Sequence, residues 1–485
     1  MELRYICQKL DINCSKSLEN IEVTGITSNS KKVENGYLFV CLSGEKKDGH
    51  HYIDEALMRG ACAVVIEKNA YLSSNAILVD STREFLSMAM NIFCDEPTEK
   101  MKFIGITGTN GKTSTASMLK SIFDEAGLSA EVIGTLNSSR YAEKSDDPTV
   151  NFTTPDPEIL YPMLKKMAEG GVKFVVMEAS SHALFYEKLA PISFEIGIFT
   201  NLTEDHLDFH LSMEDYFKSK LKLFDQCKIG IINTDDEYGK RITDKKIYNT
   251  KTCSAFENAD YCAKDVNKTF EGSKYTIAFN EKELKITCAV PTQFSIANSL
   301  YACACALELG IDENIVQNAF NKFSFVEGRF ERFPTPSGMD LTVFIDYAHT
   351  PDALKNLLEN VNSLKCEGQR TVLLFGCGGD REKEKRYHMG KIASQNADFV
   401  IVTNDNPRSE DPNEIINDIL LGFEGEKNFV VIPNRKIAIE FAIATHKSGD
   451  ILLLAGKGHE KYLIDRDGVH PFDERKILEN TFKNI

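Results

Sequence analysis

No apolar run in the 485-residue chain is long enough to span a bilayer, and the opening MELRYICQKLD has no apolar core of the secretory kind. Both absences point to the cytoplasm. There is no internal repeat and no low-complexity tract, so the chain is not read as a repeat array. Basic residues are in deficit: 56 Lys and Arg against 72 Asp and Glu leave a net charge of −16. So acidic a chain is not a mainly electrostatic nucleic-acid binder, nor one held on an acidic membrane surface, although a local basic pocket for a phosphorylated substrate is still allowed. The 13 cysteines are odd in number and scattered, with no C-x-x-C pair. They fit reduced thiols rather than a disulfide framework or a zinc site. What remains, 42% hydrophobic and 26% charged residues, describes a soluble globular protein. The length suggests about three domains of ~150 residues.

The stretch Lys102 to Ala126, KFIGITGTNGKTSTASMLKSIFDEA, organises the chain. Apolar Phe103, Ile104 and Ile106 make a short strand, Gly108-Thr109-Asn110-Gly111 a small-residue loop, and Lys112 opens a helix. Met118, Leu119, Ile122, Phe123 and Ala126 recur at helical spacing before Gly127, a C-cap. Strand, glycine loop and helix N-terminus together cradle phosphates, because backbone N–H groups approach closely and the helix dipole favours negative charge. Lys112 would reach the outer phosphates of a nucleoside triphosphate and the Thr113 hydroxyl would sit on Mg²⁺. The usual pattern places a Gly where Ile106 stands, and an ordinary Gly-containing turn is the competing reading.

Residues 1–96 read as a small mixed α/β domain, with strand-like Tyr37–Cys41, Ala63–Glu67 and Ala76–Val79 alternating with helix-like Asp54–Arg59 and Thr82–Phe93. Its polar loop Thr27–Lys31 could hold a diphosphate or be a solvated turn. Residues 97–326 form the central, phosphate-loop domain with a parallel sheet. There a strand Lys173–Met177 ends in Glu178, and a strand Glu195–Thr200 leads to His206. Both residues fall at carboxyl ends of strands, where an open α/β sheet carries its site. A carboxylate there can share a magnesium ion with phosphates, or simply cap a helix. His206 is an unusual magnesium ligand.

A helix from Met213 to Phe224, N-capped by Ser212, puts Met213, Tyr216, Phe217, Leu221, Leu223 and Phe224 on one apolar arc. Lys220 lands inside that arc, with Lys218 and Lys222 outside it. A lysine so placed can snorkel, pair with a carboxylate, or stay neutral, and a neutral amine can take up CO₂ as a carbamate.

Residues 327–485 repeat strand, loop and helix four times, a Rossmann-like doubly wound parallel sheet. The strands Leu341–Ile345, Thr371–Phe375, Phe399–Thr403 and Asp450–Leu454 lead to loops at Asp346–Pro351, Gly376–Arg381, Asn404–Arg408 and Ala455–Glu460. Arg381, Arg408 and Glu460 suit a zwitterion with a spare carboxylate: the arginines fork to carboxylates and the glutamate receives an ammonium group. A surface ion-pair network would also explain them.

Seven runs occur in one order: Thr107–Thr113 (TGTNGKT), Met177–Leu184 (MEASSHAL), Thr200–Asp208 (TNLTEDHLD), Asp346–Pro351 (DYAHTP), Gly376–Arg381 (GCGGDR), Asp405–Arg408 (DNPR) and Gly456–Glu460 (GKGHE). In them the chain resembles the Mur ligase family over essentially its whole length. The resemblance implies an ATP-dependent amide ligase of peptidoglycan precursor synthesis, and through it of cell-wall biogenesis, cell shape and cell division. ATP is then held by Gly108, Thr109, Asn110, Gly111, Lys112, Thr113 and Ser114, with Asn298, Arg329 and Asp346 reaching it from the domain junctions. Thr113, Glu178, His206 and Lys220 gather Mg²⁺, Lys220 as a carbamate. Ser30, Thr153, Thr154, Ser180, Tyr186 and Lys188 hold a UDP-sugar peptide. Arg381, Asp405, Asn406, Pro407, Arg408, Gly456 and Glu460 hold the incoming amino acid.

The Asp-Asn-Pro-Arg form is typical of members that add meso-2,6-diaminopimelate to UDP-MurNAc-L-Ala-D-Glu; Arg408 would pair the second carboxylate, which lysine lacks. Catalysis is expected of Lys112, Lys220 and His349, the last as a base for the amine. The partners are then small molecules, with no nucleic acid and no membrane insertion, and the chain is expected to be a monomer. Tyr186 and Lys188 stand where the family usually has Gln and Arg, and Asn29-Ser30-Lys31 where Asp-Ser-Arg is common. Alternatives are a lysine-adding ligase of the same type, folylpolyglutamate synthase of the same fold, or a nucleotide-binding module without ligase chemistry.

Overall fold

The computed structural model describes residues 1–44, 47–136, 140–141, 153–207, 209–425 and 428–484. Three α/β sheets follow one another along the chain. The first has four parallel strands in sequential order, Gly25–Thr27, Tyr37–Val40, Ala63–Ile66 and Ala76–Leu78. Val64, Val65, Ile66 and Leu38 are fully buried in it. The helix Thr82–Phe93 starts where Ser81 accepts the Glu84 N–H, and it covers the sheet with Phe85, Leu86 and Ala89.

The second sheet has nine strands, with the phosphate-loop strand Lys102–Thr107 between Phe194–Phe199 and Phe174–Glu178, parallel to both. Its continuous apolar strands are buried on both faces, as parallel strands between helices should be. The sheet runs on beyond the expected parallel part. Cys227–Asn233 and Thr250–Ser254 continue it in parallel, and then Tyr261–Thr269, Gly272–Phe279 and Lys282–Cys288 form an antiparallel meander. Lys282–Cys288 alternates buried Leu284, Ile286 and Cys288 with exposed Glu283, Lys285 and Thr287, a one-sided pattern that sequence reading passed over.

The third sheet has the order Glu331–Phe333, Leu341–Asp346, Asp450–Ala455, Thr371–Phe375, Phe399–Val402 and Phe429–Val431. All pairs are parallel except the edge strand Glu331–Phe333. The expected fourfold repeat needs one correction. Asp450–Ala455 leads into a hairpin, Tyr462–Asp465 with Gly468–Pro471, not a helix. A repeat missed in the sequence is Phe429–Val431 followed by the helix Arg435–Ala444. That strand is short and half-exposed, so it lacks the apolar run that marks its neighbours.

Candidate active site

The phosphate loop needs glycine at two positions. Gly108 has φ +143°, and a Cβ there would lie 1.9 Å from Thr200 Oγ1; Gly111 has φ +88°, and its Cβ would lie 2.5 Å from Asn298 Oδ1. The loop is tied to the end of the neighbouring strand. Thr200 Oγ1 donates to Asn110 O at 2.6 Å, Asn110 N to Asn201 Oδ1 at 2.9 Å and Thr109 N to Asn201 O at 3.0 Å. Lys112, Thr113 and Ser114 form the first turn of the helix Lys112–Glu125.

Two lysines meet on this loop. Lys112 Nζ donates to Gly108 O at 2.9 Å and Thr109 O at 2.8 Å. Lys220 Nζ donates to Gly108 O at 2.8 Å and lies 4.4 Å from the centre of the Tyr216 ring. Lys220 is only 1% exposed, so it does not snorkel. Burial, and then the charge of Lys112, hold its amine well below the usual lysine range, against the pull of Asp205. Burial also lowers Lys112, which Glu178 and Asp205 oppose.

Glu178 is buried at the end of its strand and accepts from Thr135 N at 2.9 Å and Thr135 Oγ1 at 3.1 Å. His206 has φ +56°, and its N–H donates to Asp205 Oδ1 at 2.9 Å. Its ring lies edge-on to His182 and Tyr216. Burial depresses its imidazole, with Asp205 opposing. Among the described residues no three His, Cys, Asp or Glu side chains cluster around a metal position. A carboxylate, a hydroxyl and a neutral imidazole therefore fit a magnesium ion only as part of a shell completed by phosphate oxygens or water, which is how magnesium is commonly held. The amine of Lys220 fits as a ligand only as its carbamate. Asp208, which closes the Thr200–Asp208 run, lies outside the described residues.

Residues flanking the third sheet meet this loop: Asp352 in the helix Pro351–Leu364, and Arg329 just before the edge strand Glu331–Phe333. Asn110 Nδ2 donates to Asp352 Oδ2 at 3.2 Å, and Arg329 Nη2 comes within 3.5 Å of Thr113 Oγ1 while its guanidinium lies 4.4 Å from the Tyr347 ring centre. Asp346 accepts from Phe330 N at 2.7 Å and Ala348 N at 2.8 Å, and burial raises its carboxyl. Buried Asn298 packs against Gly111. His349 bonds Tyr347 O through Nδ1 at 2.8 Å; desolvation by the surrounding protein and then Lys385 lower its imidazole, so it is neutral at physiological pH.

Thr153, Thr154 and Ser180 gather beside Glu178. Thr154 Oγ1 donates to Glu178 O at 2.7 Å, Ser180 caps the short helix Ser181–Phe185, and Thr153 Oγ1 lies 3.2 Å from Thr135 Oγ1. Ser30 contacts none of these; its Oγ donates to Glu55. Tyr186 stacks under Arg83 at 4.1 Å, and Lys188 pairs with Asp156 at 2.6 Å.

At the carboxyl edge of the third sheet, Asn406 Nδ2 donates to Glu460 Oε2 at 2.8 Å, and Arg408 Nη1 to Gly379 O at 2.8 Å. Arg408 has φ +51°. Burial, and then the charge of Arg381, lower its guanidinium. Burial would raise Asp405, but Lys457 and Arg435 hold it below its usual range. Gly456, φ +110°, lets the chain pass Asp405, and Pro407 precedes the turn at Arg408. Sequence reasoning missed three supports. Arg386 is fully buried, donates to both oxygens of Glu410, and so ties the Gly376–Arg381 loop to the segment after Arg408. Lys457 is fully buried among the pocket loops. Thr135 orients Glu178. Lys457 lies in a motif already singled out; Arg386 and Thr135 carry no sequence signal that separates them from surface residues.

Family comparisons agree with this order of sheets. The chain matches the Mur ligase family catalytic domain over residues 22–93, the Mur ligase middle domain over 106–306 and the Mur ligase glutamate ligase domain over 328–458. It is 40% identical over 468 residues to UDP-N-acetylmuramoyl-L-alanyl-D-glutamate--2,6-diaminopimelate ligase of Caldanaerobacter subterraneus subsp. tengcongensis, covering 96% of this chain and 95% of that one. The Aquifex aeolicus protein of the same name is 41% identical, with 94% and 93% covered. A solved structure of a ligase so named superposes with a TM-score of 0.71 at 27% identity, over 100% of this chain and 99% of that one. The MurF ligase of Thermotoga maritima in complex with ADP shares the fold, with a TM-score of 0.59 at 18% identity, over 96% and 97% of the two chains.

Proposed function

Since the chain belongs to the Mur ligase family, we propose that it joins meso-2,6-diaminopimelate to UDP-MurNAc-L-Ala-D-Glu, with ATP consumed to ADP and phosphate. It is an ATP-dependent amide ligase of peptidoglycan precursor synthesis, the MurE type of the family. The observation that supports this choice of amine is that Arg408, whose guanidinium feels the charge of Arg381, and the Asn406–Glu460 contact stand on loops at the same edge of the third sheet. Two guanidinium groups and one carboxylate match an amino acid with two carboxylates and a free ammonium group.

In the reaction, the D-glutamate side-chain carboxylate attacks the γ-phosphate of ATP. Gly108 to Ser114 enclose the phosphates, and Lys112 leaves its backbone carbonyls to meet the charge that spreads over the transferred group. Asn298, Arg329 and Asp346 position the nucleotide. Magnesium would be held by Thr113, Glu178, His206 and carbamylated Lys220, and would neutralise phosphate charge. Ser30, Thr153, Thr154, Ser180, Tyr186 and Lys188 bind the UDP-sugar peptide. Arg381, Asp405, Asn406, Pro407, Arg408, Gly456 and Glu460 bind diaminopimelate, whose amine attacks the acyl phosphate and expels phosphate. His349, neutral and open to the cleft, takes the amine's proton. The substrates divide among residues 1–96, 97–326 and 327–485, so one monomeric chain in the cytoplasm suffices. Among the described residues no helix is long and apolar enough to cross a membrane.

The test is phosphate release from ATP with UDP-MurNAc-L-Ala-D-Glu and, in turn, meso-diaminopimelate, L-lysine or no amine. Turnover with diaminopimelate alone is expected. Equal turnover with lysine would keep the ligase and overturn the amine assignment. Absence of amine-dependent release from a folded, ATP-binding protein would overturn both.

A further inference from the structure

Lys457 is a lysine with no solvent. It is fully buried, and its ammonium donates to Asn406 Oδ1 at 2.8 Å and Tyr462 O at 2.9 Å. Glu460 Oε2 lies 3.5 Å away and Asp405 Oδ1 4.0 Å. The flanking glycines make room for this: Gly456 at φ +110° and Gly458 at φ +52° carry the chain past Asp405 and Tyr347. A buried cation on such a tight turn is costly unless its partners need it.

Asn406 is the partner that does. Its Oδ1 accepts twice, from Lys457 Nζ and from Ile464 N at 3.0 Å. That fixes which end of the amide is which: the reverse orientation would set an NH₂ group against an ammonium and a backbone N–H. The Nδ2 end is left to hold Glu460 Oε2 at 2.8 Å. Glu460 Oε1 has a long contact, 3.5 Å, with the Tyr347 hydroxyl, and the Tyr462 hydroxyl also hydrogen-bonds the Glu460 carboxylate. Charged and titratable groups around Glu460 are Asp405, Lys457, Arg408, Tyr347 and Tyr462. Burial and the Asp405 carboxylate push the Glu460 carboxyl up, and Lys457 and Asn406 pull it back.

We propose that Lys457 is a positioning residue of the amino-acid pocket, fixing the Asn406 amide and the Glu460 carboxylate so that Oε1 is presented to the incoming ammonium group. The inference rests on reading that pocket as the site of diaminopimelate. Without Lys457, Glu460 and Asp405 face each other with no bridging cation, and Glu460 keeps a proton into higher pH.

The experiment is steady-state phosphate release by the full chain with Lys457→Met, Glu460→Gln and the double variant. For Lys457→Met the KM for diaminopimelate should rise about tenfold or more, as for loss of a charged hydrogen bond. The KM values for ATP and for the UDP-sugar peptide should stay within about twofold. The acid limb of kcat/KM for diaminopimelate should move to higher pH, and Glu460→Gln should abolish that limb. Because Lys457 acts through Glu460, the double variant should bind diaminopimelate no more weakly than Glu460→Gln alone. An equal loss for all three substrates, an unmoved acid limb, or an additive double variant would overturn the proposal. If Lys457→Met does not fold, the double variant, free of the Glu460 charge and with Arg435 still facing Asp405, still decides. A wild-type protein without diaminopimelate-dependent turnover would overturn the functional reading itself, an outcome no Lys457 variant can mimic.

Discussion

Lys220 and Lys112, far apart in sequence, donate to the same backbone oxygen, that of Gly108, at 2.8 and 2.9 Å. Two like charges on one carbonyl in a buried place are unstable unless one is lost or an anion arrives. Burial and the charge of Lys112 both push the Lys220 amine toward its neutral form. A neutral amine beside the proposed phosphate and magnesium site can take up CO₂ as a carbamate. Lys220→Ala is expected to lower kcat roughly a hundredfold or more, the scale of a lost electrostatic group at a reacting phosphate. Short-chain carboxylic acids should restore part of it. Labelled bicarbonate should give a carbamate carbon signal in the wild type and none in the variant. Activity of Lys220→Ala near the wild-type level would remove Lys220 from the mechanism.

Gly108 and Gly111 both have positive φ, yet they should not tolerate alanine equally. The Cβ of residue 108 would collide with Thr200 Oγ1, which is itself held against Thr107 O and Asn110 O. The Cβ of residue 111 would meet the end of the Asn298 amide, a side chain that can turn. Gly108→Ala is expected to abolish ATP binding by calorimetry. Gly111→Ala should weaken it by about 1–3 kcal/mol, the strain of a left-handed non-glycine residue. Equal affinities for the two variants would count against this account of the loop.

The phosphate loop, the Lys220 arc and the ends of the parallel strands were legible because each is local. The helix Met213–Asp225 begins where Ser212 caps it, and its buried face is the one that periodicity gives. Contacts across long separations were not legible. Nothing in the sequence links Thr135 to Glu178, or Arg386 to Glu410, and those pairs orient the site. The hairpin after Glu460 was missed because a glycine-rich loop after a strand reads the same whether a helix or a hairpin follows. Tyr186 and Lys188 looked like departures from a family pattern. In the structure each has a protein partner, Arg83 for Tyr186 and Asp156 for Lys188.

Arg408 should separate diaminopimelate from lysine. Its left-handed backbone and its bond to Gly379 O set the guanidinium beside Arg381. A lysine there keeps the charge but loses the planar fork. Arg408→Lys is expected to raise the KM for diaminopimelate by about tenfold or more, with little change in the KM for ATP. Arg408→Ala should lose more, and should narrow the preference over L-lysine. A preference left intact in Arg408→Ala would place the selecting group elsewhere.

The Arg386–Glu410 pair predicts how the pocket fails in acid. Arg386 has no exposed surface, and its guanidinium bonds both oxygens of Glu410 at 2.8 and 2.9 Å and Asp418 at 2.9 Å. The hydrogen bonds from Arg386 bring the Glu410 carboxyl from 4.5 down to about 2. A carboxylate with a depressed folded pKa lends stability that is complete above its unfolded value and is lost as pH falls toward the folded one. The pair's contribution should therefore be full above about pH 4.5 and fade between there and about pH 2. In urea titrations across that window, Glu410→Gln should be less stable than wild type at pH 7 and should show a shallower loss on acidification. Below about pH 2 the two proteins should converge. A constant difference at every pH would mean that Glu410 acts by packing alone. Because Glu410 also accepts the Asp380 N–H, the variant should in addition loosen the loop that carries Arg381 and raise the KM for diaminopimelate at neutral pH.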